Sequence, residues 1–109
     1  VSNFHLKFML EFSAFLGFYP HERLIGQSNF DLVEGEFSNT ESLHPYMITG
    51  KAVEVFQELI EVQFSEHYTI RMSNLVRKEL LQHLVDYFKL HLEGMKEITS
   101  HKVLEEVMI

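Results

Sequence analysis

The chain has 109 residues, 46% of them hydrophobic and ten of them phenylalanine, enough for one domain with its own core and too few for two. It contains no cysteine, which excludes disulfides, thiolate zinc sites and cysteine nucleophiles. A net charge of −7 gives no long-range attraction for phosphate backbones, so nonspecific nucleic-acid binding by this chain alone is not expected.

That charge is uneven. Residues 1–70 hold three basic side chains (Lys7, Arg23, Lys51) against ten acidic ones, whereas residues 71–109 hold six of each. The apolar stretch from Phe8 to Tyr19 is interrupted by Glu11 and is too short to span a bilayer. A chain that opens at Val1 directly into a helical pattern is expected to be a piece of a longer protein.

"SNFHLKFMLEFSAFLG" predicts a first helix capped by Ser2 or Asn3, either of which offers an oxygen to an unpaired backbone N–H. Leu6, Met9, Leu10, Phe12 or Ser13, and Leu16 recur at three and four and mark the inward stripe. Phe4, Phe8, Phe12 and Phe15 widen it, so both sides of this helix are expected to meet protein. Gly17 is placed to end the helix in the left-handed conformation, and Pro20 prevents a restart. "HERLIGQSN" reads as a loop. "FDLVEGEFS" alternates apolar and polar residues around Glu34-Gly35 and predicts a small hairpin that must lie against helices. "NTESLHPYMITG" reads as a second loop, with Pro45 pushing His44 out of helical space.

From a Thr49 cap, "TGKAVEVFQELIEVQF" carries Val53, Phe56, Leu59 or Ile60, and Phe64 at helical spacing, with Glu54, Glu58 and Glu61 outside. A third helix starts at Ser73 or Asn74 with Val76, Leu80 or Leu81, Leu84, Phe88 and Leu92 inward, and Gly94 is expected to stop it. Thr99 then caps a short fourth helix, stapled by Ile98 and Val103, which folds back on the bundle. The predicted fold is a mainly α domain of four helices with a small antiparallel β-hairpin between helices one and two.

Chemistry is sparse. His83, Tyr87 and His91 share a helical face, but no HxxxH or HExxH occurs, and half-exposed histidines bordering the core are the simpler account. No pair of carboxylates stands out among sixteen acidic residues, and there is no GxSxG, phosphate-cradling glycine loop or dinucleotide fingerprint. The chain therefore reads as non-enzymatic, with no metal and no cofactor. The basic residues of the last third are more informative. Arg71, Arg77, Lys78 and Lys89 flank apolar helix three, with Lys96 and Lys102 beyond it. Cations beside an apolar groove suit a short acidic peptide ending in a hydrophobic residue; the plainer alternative pairs them with surface acids.

The succession "FHLKFMLEFSAFLGFYP", "FDLVEGEF" and "YFKLHLEGMKEITSHKVLEEV" resembles the C-terminal helical domain of the bacterial DNA repair and recombination protein RecO. "LEFSAFLGF" is similar to the family's helix ending in L-G-Y/F, and "HLEGMKEITSHKVL" to its closing signature. The resemblance covers nearly the whole chain in the same order. It implies an absent N-terminal OB-fold that binds DNA, a cytoplasmic and nucleoid-associated setting, RecR as partner, and mediation of strand annealing and RecA loading without catalysis. It also implies that this domain receives the acidic, phenylalanine-ended tail of single-strand-binding protein. Laid over the family's basic positions, Lys7 and Lys78 become candidates, with Arg77 adjacent and Leu81 and Leu104 as walls. Many family members carry a four-cysteine zinc module between the first helix and the hairpin, which this cysteine-free chain cannot form. Two rivals stand beside this reading: a structural or dimerising helical module, which predicts an exposed apolar patch, and a small metal-dependent enzyme, which predicts clustered histidines.

Overall fold

The computed structural model describes the backbone of residues 3–40 and 44–108, and their side chains apart from 67, 68 and 95–108. In chain order it consists of helix α1 (Asn3–Leu16), strands β1 (Asn29–Asp31), β2 (Glu36–Ser38) and β3 (Met47–Ile48), helix α2 (Lys51–Glu61), a 3-10 segment (Phe64–Thr69) and helix α3 (Asn74–Met108).

α1 buries Asn3, Leu6, Lys7, Leu10 and Ser13, a line at the three-and-four spacing of one helix face. At the ambiguous position Ser13 faces inward; its hydroxyl is satisfied by the Leu10 carbonyl at 2.6 Å. Gly17 ends the helix as expected, with φ +96° and with the Phe18 N–H returning 2.9 Å to the Ser13 carbonyl. The phenylalanine face differs from expectation: Phe8, Phe12 and Phe15 remain 49%, 42% and 84% exposed.

The hairpin forms where the alternation placed it, with Phe30 opposite Phe37. Asp31 closes it by accepting the Val33 and Glu34 N–H groups on one carboxylate oxygen, and Gly35 supplies the positive φ of +71°. A third strand was not predicted. β1 has two edges, and Met47–Ile48 covers the second antiparallel, giving the order β2-β1-β3 with Ile48 opposite Phe30. Two residues are too few for periodicity to reveal.

α2 starts one residue later than expected, on Gly50 at φ +64° rather than on a Thr49 side chain. It ends where Val62 turns extended, so Phe64 falls in the 3-10 segment and is 38% exposed. The core joins Leu6, Leu10, Phe30, Leu32, Ile48, Val53, Phe56, Leu59, Leu80 and Leu84, with Tyr87 at its end. Leu92, expected inside, is 41% exposed.

The four-helix expectation is corrected to three. α3 runs unbroken for 35 residues, through the expected stop at Gly94 and the expected cap at Thr99. Gly94 lacks the positive φ of Gly17, Gly26, Gly35 and Gly50, and nothing lies within 4 Å of where its Cβ would project. A lone glycine costs a helix about 1 kcal/mol, which good helix formers on both sides offset. The Ile98–Val103 staple lies outside the described side chains. Gly94→Ala should therefore raise stability by about 0.5–1 kcal/mol in urea denaturation; a left-handed stop would make the same change destabilising.

Candidate functional site

Three chain segments meet at the start of α1, and a polar network fixes how they meet. Ser73 caps α3, its hydroxyl accepting the Val76 N–H at 3.1 Å. One turn on, Arg77 is held half-buried by two acceptors: its Nε donates to Asn3 Oδ1 at 3.2 Å and its terminal nitrogen to Asn74 Oδ1 at 2.6 Å. Asn3 is buried and its amide nitrogen donates to the Ile70 carbonyl at 2.8 Å. Asn3 thus couples the entry of α1 to the stretch before α3 and orients the guanidinium.

Beside this network lies an open cleft of about 710 Å³ lined by Asn3, Thr69, Ile70, Arg71, Met72 and Arg77. Arg71 is exposed at its edge, and Ile70 and Met72 supply apolar wall. Two guanidiniums therefore border one depression next to the positive end of a helix whose first turn holds no acidic residue. Guanidinium forks match carboxylates, and the apolar wall suits a hydrophobic side chain next to that carboxylate. The arrangement can hold an acidic peptide end; it offers no nucleophile with an adjacent base.

The predicted site residues fall in different places. Arg77 lines the cleft. Lys78 is exposed and Leu81 is half-buried against the core. The Leu104 side chain lies outside the described residues. Lys7 is 1% exposed: its ammonium donates to the Leu59 and Ile60 carbonyls at 2.8 and 3.3 Å and pairs with Glu11 at 3.0 Å. It neutralises the carboxyl end of α2, one turn along α1 from Asn3. Sequence reading noted Arg71 only as a flanking cation and missed Asn3, because neither shares a periodic face with Arg77.

Thr69, Ile70 and Arg71 also border a neighbouring depression with Glu58 and Glu61 of α2. Arg23, His83 and His91 lie away from the cleft. Arg23 forks onto Glu54 at 2.9 and 3.2 Å, which holds the Glu54 carboxyl below the usual carboxylate range. His83 stands 3.8 Å from Glu79, while His91 lies 2.9 Å from the Leu32 carbonyl and stacks on Phe18. Among the described residues no group of three or more His, Cys, Asp or Glu is placed to hold a metal ion, and no helix is long and apolar enough to cross a membrane.

The family model described as Recombination protein O C terminal matches residues 1–99. Proteins named DNA repair protein RecO are similar over nearly the whole chain. The one from Christiangramia forsetii is 33% identical over 107 residues, covering 98% of this chain and 44% of its own length. That from Flavobacterium psychrophilum is 34% identical with the same coverage, and that from Phocaeicola vulgatus is 31% identical over 97% of this chain. No solved structure gives a significant match. This chain spans about 44% of the length of these relatives. With the C-terminal family model covering residues 1–99 and relatives above 30% identity along the same stretch, the chain belongs to the RecO family and corresponds to its C-terminal domain.

Proposed function

We propose that this domain is the protein-interaction part of a non-enzymatic mediator of DNA repair and homologous recombination, and that its arginine cleft receives the acidic, phenylalanine-ended tail of single-strand-binding protein. The supporting observation is the pairing of Arg71 and Arg77 on one apolar-walled cleft in a chain whose net charge is otherwise strongly negative. The relatives' name supplies the DNA repair setting. A net charge of −7 opposes a duplex and an acidic peptide alike at long range, so the peptide reading rests on the local Arg71 and Arg77 pair. DNA contact is assigned to the length by which the relatives exceed this chain. RecR is the further partner in this reading, in the cytoplasm at the nucleoid. Lys78 follows Arg77 on the exposed surface and adds long-range attraction, while Lys7 acts from beneath by fixing α1.

A fluorescent acidic peptide ending in Asp-Ile-Pro-Phe should bind with a dissociation constant of about 1 μM, near −8 kcal/mol. Arg71→Glu is the clean variant, since Arg71 is exposed and Arg77 also supports the fold. It should weaken binding about tenfold or more, and added salt should weaken the wild type. Binding unchanged by Arg71→Glu and Lys78→Glu would remove the cleft from the account. A second reading, a helical packing module, is favoured by the exposed Phe8, Phe12 and Phe15; it predicts no saturable peptide binding at all.

A further inference from the structure

α1 is apolar on two faces; the described fold buries one fully and covers the other only in part, through Phe64 against Phe4 and Phe88 against Phe12. On the other, Phe4, Phe8, Phe12 and Phe15 form a continuous ladder, with ring centres 6.0, 5.9 and 6.0 Å apart and planes within 24° of parallel. Phe88 of α3 extends it, its ring 6.5 Å from that of Phe12 and nearly parallel to it. A helix with apolar residues on both faces is normally covered on both.

Magnitude decides what covers it. At ~200 Å² per phenylalanine, Phe8, Phe12 and Phe15 leave roughly 350 Å² of aromatic surface in water. A stable contact between separate chains takes about 800 Å² from each partner. Contacts between domains of one chain need only about 300–750 Å² a side, because the tether keeps the effective concentration near millimolar. A second copy is further disfavoured by bringing two charges of −7 together. The relatives are more than twice as long as the stretch they share with this chain, and that stretch matches the C-terminal model of the family. In the relatives, a stretch matching the C-terminal model is preceded in sequence by the additional residues, which join it on the α1 side.

We propose that the α1 phenylalanine ladder is the seat of the domain that makes up the other half of the relatives' length, docked through an apolar face of that domain. This is independent of the arginine cleft, which opens where Asn3, Ile70 and Arg77 meet.

The absence of cysteine makes a direct test available. Phe12→Cys places a single thiol on the ladder, and Leu24→Cys a reference thiol on an exposed turn. Each is compared in the 109-residue chain and in a fusion to a cysteine-free form of the preceding half of the Flavobacterium psychrophilum relative. Maleimide labelling of Phe12→Cys should be at least tenfold slower in the fusion, with Leu24→Cys unchanged. Equal Phe12→Cys rates in the two proteins overturn the proposal. So does protection already present in the 109-residue chain and lost on dilution, which would assign the ladder to a second copy. If the buried Leu84→Cys labels freely in the fusion, that protein is unfolded, and the same rates on the two halves mixed at about millimolar concentration decide the matter.

Discussion

Tyr87→Ala should destabilise the domain by about 3–5 kcal/mol, the range for removing a buried aromatic ring. At about 4–8 °C per kcal/mol, the melting temperature should fall by roughly 15 °C or more. Tyr87 is 1% exposed and joins three parts of the fold. Its ring meets Phe18 just after the α1 stop at 5.5 Å, Phe30 of β1 at 5.9 Å and His91 at 4.4 Å. Its hydroxyl donates to the Phe18 carbonyl and packs beneath Gly35, where a Cβ would lie 3.1 Å away. Tyr87→Phe keeps the ring and should cost about 1–2 kcal/mol, because the Phe18 carbonyl loses its donor. Burial raises the Tyr87 hydroxyl above its ordinary value of 10.0. A raised value favours the neutral form in the folded protein. Its contribution is therefore complete below about pH 10 and is lost as pH rises above the unfolded value. Urea melts at about pH 8 and pH 11 should show this alkaline loss in the wild type and less of it in Tyr87→Phe.

Lys7→Met should cost about 2–3 kcal/mol in the same melts, although methionine keeps the apolar stem. The loss comes from the ammonium. Without it, the Leu59 and Ile60 carbonyls at the end of α2 lose a buried charged donor at 2.8 and 3.3 Å. Glu11 contributes little, being half in water, so Glu11→Gln should cost less than about 1 kcal/mol. Lys7→Glu should cost more than either, because it sets a carboxylate against carbonyl oxygens and Glu11. A Lys7→Met protein as stable as the wild type would mean that the ammonium faces water and is available to a partner.

Much of the fold was legible because its signals are local. Gly17 before Phe18, Gly35 at the hairpin turn, and Ser73 ahead of Val76 each set a backbone conformation from within one turn of chain. The departures came from distant contacts or their absence. Gly94 carries the residue type of a stop, but a stop also needs a left-handed backbone, which Gly94 does not adopt. Met47–Ile48 became a strand because Phe30 offered an open edge, and nothing in a two-residue segment announces that. Tyr87 was noted only as sharing a face with His83 and His91, yet its ring closes the core. The candidate cleft was legible by half. Arg77 and Lys78 stood out as cations on an apolar helix, whereas Arg71 joins Arg77 only across a helix cap and Asn3 only across 74 residues of sequence. Lys7 was singled out for its charge; its burial could come only from the packing of α1 on α2.

The most direct test of the central claim is to map where the peptide sits. The domain, labelled with ¹⁵N and with ¹³C methyl groups, is titrated with the Asp-Ile-Pro-Phe peptide and its NMR spectra are followed. The largest shifts should fall on the Arg71 and Arg77 side-chain N–H groups and on the Ile70 and Met72 methyl groups, with Phe8, Phe12 and Phe15 unmoved. Shifts centred on the phenylalanine face, or saturable binding that leaves Ile70 and Arg71 undisturbed, would contradict the arginine cleft as the receptor.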